Sequence, residues 1–377
     1  MALFRLLGGY PPERLLVVSY PTTNWRETIT GLPAVEYRRL QYKIPRWIWN
    51  RFNPLWPVVM SCYIRIYRTA AIEAIGNFNP EAVLTVTHGY LWILAASIAQ
   101  KRRIPLHVIC HDDWSHMQTQ SQPMWARPFV RTICNDILRR VIGKAASRLC
   151  VSPTMAELYT REVGAPCELL YPSRGEESPR AKVRLPRPGR TTLVIAYAGM
   201  IHHAATADAL AAVADVLRPL GGCLQIYSPD SADTLRQLAL KKPNIYHQGF
   251  LAFAGAMGEK VARTADALII TASFEERNRR DVSTLFPSKM ADYTAIGLPI
   301  LIWGPVYSSA ARWAMENPGA AVLVTSNEAD ALREAFLKLG DAKYVASIAA
   351  AGMAAGSRDF GVSNVRRRFA AVITRHL

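Results

Sequence analysis

Residues 285–300 have the sequence LFPSKMADYTAIGLPI. The Pro-Ser pair predicts the start of a helix with Ser288 as its N-cap, and the Gly-Leu-Pro stretch predicts its end before an apolar strand. A helix N-terminus presents unpaired N–H groups and a partial positive charge, to which Lys289 adds a full charge. Such a segment suits a diphosphate, and Asp292, one turn further on, could accept hydrogen bonds from a ribose diol. On these residues alone, an ordinary capped helix without a ligand remains the alternative.

Short apolar runs alternate with helix-length stretches on both sides of this segment. That alternation is typical of parallel sheets with crossover helices. The predicted strands of the first half are 15–20, 82–87, 106–110, 148–152 and 167–170. Those of the second half are 193–198, 223–228, 267–271, 299–303 and 320–323. The predicted helices between and after them are 63–75, 91–100, 128–146, 205–217, 232–239, 289–295, 328–339 and 364–376.

The length of 377 residues predicts two domains. Residues 173–190 contain three prolines, two glycines and no aromatic residue, which favours a linker. We therefore expect an α/β protein with two Rossmann-like, doubly wound parallel-sheet domains, at 1–172 and 191–360, followed by a C-terminal helix at 361–377. Two such domains facing each other would form a cleft, with ligands beyond the carboxyl ends of the strands.

The chain is basic, with 45 Lys and Arg against 29 Asp and Glu, and the excess is uneven. Residues 1–172 carry 20 basic and 11 acidic residues, whereas residues 191–377 carry 19 and 16. This asymmetry indicates that the first half faces an anionic partner. No uncharged run is continuously apolar over roughly 18 residues, so we expect any membrane association to be peripheral. The six cysteines have irregular spacings, which favours reduced core residues in a cytoplasmic protein.

The segment 285–300 resembles the donor-binding element of GT-B glycosyltransferases of the retaining, Rossmann-type kind (glycosyltransferase family 4-like, or group 1). In that family a pattern F-P-S-K-x-x-E-Y-x-A-x-G-x-P precedes a strand of the C-terminal domain, and this chain has Asp where Glu is usual. The resemblance implies that the nucleotide-sugar donor is bound by Phe286, Ser288, Lys289 and Asp292.

Two further segments resemble the same family. Residues 150–158, CVSPTMAEL, resemble the end of its first domain. Residues 195–199, IAYAG, resemble the first strand of its donor domain, where the glycine, here Gly199, lets backbone approach the sugar nucleotide. Family members often carry an Arg and a Lys shortly after that glycine. This chain continues with MIHH, so Lys289 and His202 are the expected substitutes at the phosphates.

The run HDDW at 111–114 ends a predicted strand. The resemblance implies that His111 lies near the donor sugar and the acceptor, while Asp112 or Asp113 orients it or acts on the acceptor hydroxyl. The alternative is a structural one, in which the aspartates cap a helix and the histidine belongs to a loop. His88 resembles a second family histidine, but we interpret it as a structural residue of the cleft.

Glu275 and Glu276 follow the predicted strand 267–271. In the family an acidic residue in this region reaches hydroxyls of the transferred sugar, so we assign Glu275 to catalysis and Glu276 to donor binding. The charged insert RNRRD follows at once, and a solvated charged loop is the alternative interpretation.

Residues 37–68 contain seven basic and eight aromatic residues, and the chain has no acidic residue between Glu36 and Glu73. Trp and Tyr favour the headgroup layer while Lys and Arg attract anionic lipid, so the segment predicts an interfacial anchor. Its predicted membrane contacts are Lys43, Arg46, Trp47, Trp49, Arg51 and Trp56. Stacking on single-stranded nucleic acid is disfavoured, because no RNA-binding signature accompanies the aromatics. A partly buried helix with a basic rim is the other alternative.

The resemblance implies a glycosyltransferase of the hexosyltransferase type, acting in polysaccharide biosynthesis with a nucleotide-sugar donor. The expected acceptor is lipid-linked or a polysaccharide, and the expected location is the inner face of the membrane. Retention at the anomeric carbon and the lack of a metal or other cofactor follow from the resemblance. The alternatives are a nucleotide-sugar epimerase and a non-catalytic scaffold. The scaffold is favoured by residues 3–12, which show no initial strand with a Gly-rich loop.

Overall fold

The computed structural model describes residues 2–19, 32, 34–40, 55–176, 178, 182–184, 192–201, 204–231, 233–234, 240–249 and 255–376. The chain divides into two compact units. The first comprises residues 1–171 and 366–377, and the second comprises residues 172–365.

The first unit contains a parallel four-stranded sheet and a separate parallel pair of strands. The pair joins β1 (Leu16–Ser19) to β2 (Glu36–Arg39), and the sheet has the order β3-β4-β5-β6. Its strands are β3 (Val83–Val86), β4 (Leu106–Cys110), β5 (Ser147–Cys150) and β6 (Glu168–Leu169). The helices are α1 (Ala2–Leu7), α2 (Trp56–Ile66), α3 (Arg68–Ile75), α4 (Leu91–Arg102), α5 (Trp114–Gln120), α6 (Arg127–Ile142) and α7 (Pro153–Val163).

The second unit contains a six-stranded parallel sheet of order β12-β11-β10-β7-β8-β9. Its strands are β7 (Val194–Ala198), β8 (Cys223–Tyr227), β9 (Ile245–His247), β10 (Ala267–Thr271), β11 (Ile300–Trp303) and β12 (Val322–Val324). Its helices are α8 (Ala204–Leu217), α9 (Gly255–Thr264), α10 (Arg279–Thr284), α11 (Lys289–Tyr293), α12 (Ser309–Glu316), α13 (Ala329–Lys338) and α14 (Ala342–Phe360), and α15 (Val362–Thr374) continues into the first unit.

Burial explains why the central strands read as continuous apolar runs. Every residue of β4 and of β7 is buried, as expected for parallel strands covered by helices on both faces. Around β7 the core includes Leu210 of α8, Leu224 of β8 and Ile269 of β10. Each such side chain contributes about 1.5–3 kcal/mol by leaving water.

Local signals set the ends of the helices. Ser152 accepts a hydrogen bond from the Met155 N–H at 3.1 Å, and Pro153 occupies the first turn of α7. The helix ends at Gly164, whose φ of 73° suits a left-handed C-cap. The predicted helix 232–239 lies largely outside the described residues, and two of the other predicted helices differ from the structure. The stretch 63–75 is divided between α2 and α3 at Tyr67, and the stretch 289–295 is a helix of five residues.

The six cysteines are all described, and none of them forms a disulfide. Cys110, Cys134 and Cys150 are fully buried in the first unit, and burial raises the pKa of Cys134 to about 12. Cys62 is exposed.

Within the described part of the chain, no helix has both the length and the apolar character needed to cross a membrane.

Candidate functional site

The strand order of the second unit locates a candidate binding site. From β7 the chain builds β8 and β9 to one side, then returns to build β10, β11 and β12 on the other. In open parallel sheets, ligands bind outside the carboxyl ends of the strands at such a point of reversal. The carboxyl ends that meet here are those of β7, followed by Gly199, and β10, followed by residues 272–276.

Gly199 is required at the end of β7 by both its backbone and its surroundings. Its φ is +146°, a conformation that residues with a side chain rarely adopt. A Cβ at this position would lie 3.1 Å from Nζ and 3.2 Å from Cε of Lys289. The glycine therefore leaves a gap in which the lysine passes close to the backbone.

The Lys289 ammonium is held by an aromatic hydroxyl. Its Nζ lies 3.8 Å from the centroid of the Tyr197 ring and donates a hydrogen bond to the Tyr197 Oη. Burial lowers the pKa of Lys289 to about 7, because the ammonium is removed from water and its acceptor is a neutral phenol. A bound anion would supply the charge that this site lacks and would favour the protonated lysine.

Three side chains hold the loop that follows β7. The Tyr293 hydroxyl accepts a hydrogen bond from the Ala198 N–H at 2.6 Å and donates one to the Ala198 carbonyl at 3.1 Å. The Tyr197 hydroxyl donates to the Met200 carbonyl at 3.0 Å. Asp230 accepts from the Ile201 N–H at 2.9 Å. These contacts fix the backbone at 198–201 before any ligand binds.

The predicted capping of the helix at Lys289 is corrected by the structure. Ser288 occupies the N-cap position of α11, but within the described residues its side chain makes no capping hydrogen bond. A helix of five residues also has a small dipole, so the positive charge here is chiefly that of Lys289. Phe286 is buried, with its ring centroid 5.6 Å from that of Phe360, and it packs in the core of the second unit.

Asp292 is buried and faces the start of the second unit. Its carboxylate accepts hydrogen bonds from the Gly175 N–H and the Ser178 hydroxyl, both at 3.3 Å. The neighbouring Arg174 donates to the carbonyls of Ala291 and Thr294 at 3.2 and 3.0 Å. The carboxylate expected to hold a ribose therefore bonds residues of the predicted linker in this structure.

Glu275 and Glu276 are exposed and paired with arginines of the charged insert. Glu275 lies 2.8 Å from Arg277, which lowers the pKa of that carboxyl, and Glu276 lies 3.3 Å from Arg279. Both contacts match the solvated charged loop that the sequence left open as an alternative. His202 lies outside the described residues.

The first unit brings two of its predicted residues together. His88 and residues 111–112 follow β3 and β4, which are paired in parallel. The His88 Nδ1 lies 3.3 Å from a carboxylate oxygen of Asp112, and this hydrogen bond raises the pKa of His88. His111 is half-buried, and burial lowers its pKa although Asp112 opposes the change. Asp112 thus pairs with His88, for which the sequence predicts a structural role.

Asp113 has the structural role that the sequence left open. Its side chain accepts a hydrogen bond from the His116 N–H at 3.2 Å and so caps α5. The hydroxyl of Tyr159 also donates to it, at 3.5 Å.

The predicted membrane contacts are largely outside the described residues, which applies to Lys43, Arg46, Trp47, Trp49 and Arg51. Trp56 is described, and the prediction for it is corrected. It is buried and packs with Met60, Tyr63 and Tyr90 in the first unit, so its indole does not face a lipid surface.

Solved structures resemble the chain over nearly its whole length. HepE of Anabaena, in complex with UDP and glucose, has a TM-score of 0.67 at 13% identity, covering 99% of this chain and 95% of that one. The glycotransferase of kitacinnamycin has a TM-score of 0.57 at 14% identity, covering 100% and 94%. A putative UDP-N-acetylglucosamine 2-epimerase from Listeria monocytogenes has a TM-score of 0.55 at 12% identity, covering 100% and 92%.

The chain has the GT-B fold. This confirms the α/β fold class expected from the alternation of strands and helices, and the GT-B fold that the resemblance implies. No protein-family model and no curated protein matches the sequence.

Sequence reasoning missed the residues that support Gly199 and Lys289. Tyr197 stands inside the quoted run IAYAG, and a tyrosine in a wholly buried strand signals a hydroxyl that needs a partner. Tyr293 also stands in a quoted run, but its partner Ala198 is 95 residues away in the chain. Together these residues hold a backbone turn with Lys289 beneath it. Because part of the Lys289 population is neutral, the site can take up an anion together with a proton.

Proposed function

We propose that this chain is a glycosyltransferase that binds a nucleotide-sugar donor at the carboxyl end of β7. The sugar would pass to a lipid-linked or polysaccharide acceptor, with retention at the anomeric carbon. The proposal follows the resemblance to retaining GT-B enzymes for the donor, the acceptor class and the stereochemistry.

The observation that carries the proposal is the contact between Gly199 and Lys289 at the reversal point of the second sheet. A diphosphate near the glycine would meet backbone without a side chain and an ammonium within reach. As the sugar departs, negative charge grows on the diphosphate, and a positioned cation stabilises that charge. Solved structures of the same fold contain UDP and UDP-glucose, which supports a uridine nucleotide as the first ligand to test.

The first unit would supply the acceptor side. We propose His111 as the group near the acceptor hydroxyl, with Asp112 and His88 as a pair that sets the charge beside it. The half-buried position and lowered pKa of His111 keep its imidazole neutral near pH 7, the form that accepts a proton. Of the two glutamates, Glu275 and Glu276, each would have to leave its arginine to reach a sugar.

The excess of basic residues in the first half supports an anionic acceptor or membrane surface. We propose a peripheral location at the inner face of the membrane, where lipid-linked acceptors present their headgroups. A nucleotide-sugar epimerase is a second candidate, because a putative enzyme of that kind shares the fold.

Thermal-shift titration of the full chain with nucleoside diphosphates and nucleotide sugars tests donor binding. A ligand that binds only the folded state at about a hundred times its Kd stabilises it by about 2.7 kcal/mol, a shift of several degrees. We expect a shift with one base. Lys289→Ala should reduce it and leave the melting temperature without ligand nearly unchanged.

Lys260→Ala is the matched control, because the Lys260 Nζ also lies over a tyrosine ring, 5.7 Å from the centroid of Tyr227. An equal loss in both variants, or no shift with any nucleotide, would contradict the proposed donor site.

Release of UDP from UDP-glucose identifies transfer or hydrolysis. Conversion of UDP-N-acetylglucosamine to an isomer without UDP release identifies an epimerase, and binding without either reaction identifies a scaffold.

A further inference from the structure

The turn between α5 and α6 exposes large apolar side chains. Met124 and Trp125 are each 79% exposed, and Phe129, in the first turn of α6, is 54% exposed. Met117 of α5, which precedes Met124 by seven positions in the chain, is also exposed. The two helices pack against each other, and Ser115 donates a hydrogen bond to Asn135 at 2.6 Å. The turn is therefore the end of a packed helical hairpin. We call these four residues the tip surface.

The tip surface lies in a stretch without carboxylates. From Trp114 to Asn135 the sequence has no acidic residue and contains Arg127 and Arg131. Arg127 donates to the carbonyl of Gln122 at 3.1 Å, which directs its charge to this turn. The side chain of Arg131 is 58% exposed. Arg131 also lies 3.9 Å from Glu162, whose side chain is only 13% exposed, so the groups that this stretch presents to solvent are chiefly apolar and cationic.

The neighbouring helix α2 repeats this combination. It packs against α6 and exposes Ile66, Val58 and Val59. Arg65 and Arg68 are exposed at the same end as Ile66. No acidic residue occurs between Glu36 and Glu73, so this helix also lacks carboxylates.

Two exposed apolar residues on helices of the second unit have a different setting. Leu337 on α13 is 59% exposed, but that helix also carries exposed Asp330 and Glu334. Met315 on α12 is followed directly by Glu316. Single apolar residues among mixed charges are ordinary on protein surfaces, whereas a cluster without carboxylates calls for a partner.

We propose that the tip surface docks on an anionic lipid bilayer. Trp prefers the headgroup layer, where its ring is partly in apolar surroundings, and Arg attracts lipid phosphates. A turn with Trp125 and Met124 at its end can enter that layer without unfolding, and carboxylates that anionic lipid would repel are absent from residues 114–135, which include the turn. The inference rests on the proposed function only in that a lipid-linked acceptor gives a reason for docking.

Flotation of the full chain with vesicles tests the proposal. We expect binding to vesicles with about one third phosphatidylglycerol, little binding to phosphatidylcholine alone, and weaker binding as salt rises. The double variant Trp125→Ser with Phe129→Ser should lower the partition coefficient by roughly tenfold or more. Trp125→Phe keeps an aromatic ring and should retain most of the binding.

The matched control is Leu337→Ser with Met315→Ser, which removes two exposed apolar residues of the second unit and should leave binding unchanged. Equal binding by the tip variant and the wild type, or no binding of wild type to phosphatidylglycerol, would overturn the proposal. So would a tip variant that only converts a dimer to a monomer in lipid-free sedimentation, because the surface would then join two copies. Nucleotide thermal shifts on the same samples separate a failed docking surface from a failed donor site.

Discussion

Each unit has ionisable residues at the carboxyl ends of its parallel strands, but the two groups differ in how they are held. Lys289 lies close to Gly199 and against Tyr197, and Tyr293 holds the adjoining backbone of Ala198. In the pair of His88 and Asp112, the histidine side chain is 75% exposed and the aspartate side chain is 35% exposed. Fixed, buried groups act on a ligand without rearranging, whereas exposed groups are screened by water.

The two groups also respond differently to protons. Burial lowers the pKa of Lys289, so this site lacks a full charge until an anion binds. The hydrogen bond that His88 donates to Asp112 raises the pKa of His88, so that site already contains its counter-ion. The second unit therefore has the features of a binding site for an anion, while the first unit has a pair whose charges cancel when His88 is protonated.

The most direct test of this difference between the units is to fill the gap at Gly199. Gly199→Val places a branched side chain at a φ of +146° and against the Lys289 ammonium. We expect UDP affinity to fall by roughly a hundredfold or more, equivalent to about 2.7 kcal/mol, because both strain and overpacking act on the loop. Calorimetric titration with UDP measures the loss.

Gly221→Val is the control for backbone strain. Gly221 has a φ of +67°, and no described atom lies within 4 Å of a Cβ added there. This variant should lose stability but keep UDP affinity. Equal losses of affinity in the two variants would show that the gap has no role in binding.

The protonation of Lys289 gives the next largest effect. Its pKa of about 7 in the folded chain lies below the ordinary 10.5, so the free protein loses this charge as the pH rises above 7. Between pH 7.5 and 9 we expect UDP affinity to fall by up to roughly tenfold per pH unit. The same shift makes the unliganded chain more stable as pH rises from about 7 towards 10.5, since the unfolded chain binds more protons there.

Calorimetry in buffers of different ionisation enthalpy measures the proton taken up with UDP. Lys289→Arg keeps its charge throughout this range and should bind UDP without the pH dependence. Wild-type affinity that stays flat from pH 7.5 to 9 would mean that the lysine does not meet the nucleotide.

Tyr293→Phe tests how far the loop depends on one hydroxyl. The variant leaves the buried Ala198 N–H without this acceptor, so we expect a loss of about 1–3 kcal/mol in the free energy of unfolding. Denaturant titration measures it. Tyr246→Phe, at an exposed position of β9, should have no measurable effect. Similar stabilities for both variants would refute the supporting role of Tyr293.

The smallest effect is expected in the first unit. Asp112→Asn removes the acceptor that raises the pKa of His88, so that pKa should fall, as followed by NMR titration. The pair stabilises the fold only below the pKa of the folded histidine, and its loss should cost under about 1 kcal/mol. Asp136→Asn, which breaks the exposed pair with Arg140, is the control and should leave the His88 pKa unchanged. UDP affinity should be unaffected by both.

The buried strands could be predicted closely from the sequence. The stretch 106–110 is β4, and the stretch 193–198 contains β7, because strands covered on both faces are continuous apolar runs. β2 was missed, since its sequence EYRR has no such run and half of its residues are exposed. α14 was missed for a different reason: its many alanines and glycines pack closely without a strong apolar period.

The candidate site was predictable only in part. Gly199 and Lys289 stand in runs that resemble a known family, and the structure brings them together although they are 90 residues apart. Asp230 carries no signal of its own, because its role depends on the Ile201 N–H, 29 residues away. The sequence also could not indicate that Asp292 bonds Gly175 and Ser178, since a helical pattern does not specify which distant backbone a carboxylate faces.

The buried thiols allow the unfolding of the first unit to be measured separately from that of the second. Cys110, Cys134 and Cys150 all belong to it and are sealed from solvent, so an alkylating reagent reaches them only when that unit opens. Cys62 reacts from the folded state and marks complete access to the reagent. Mass spectrometry of the labelled peptides would therefore measure the rate at which the first unit unfolds while a nucleotide stabilises the second unit.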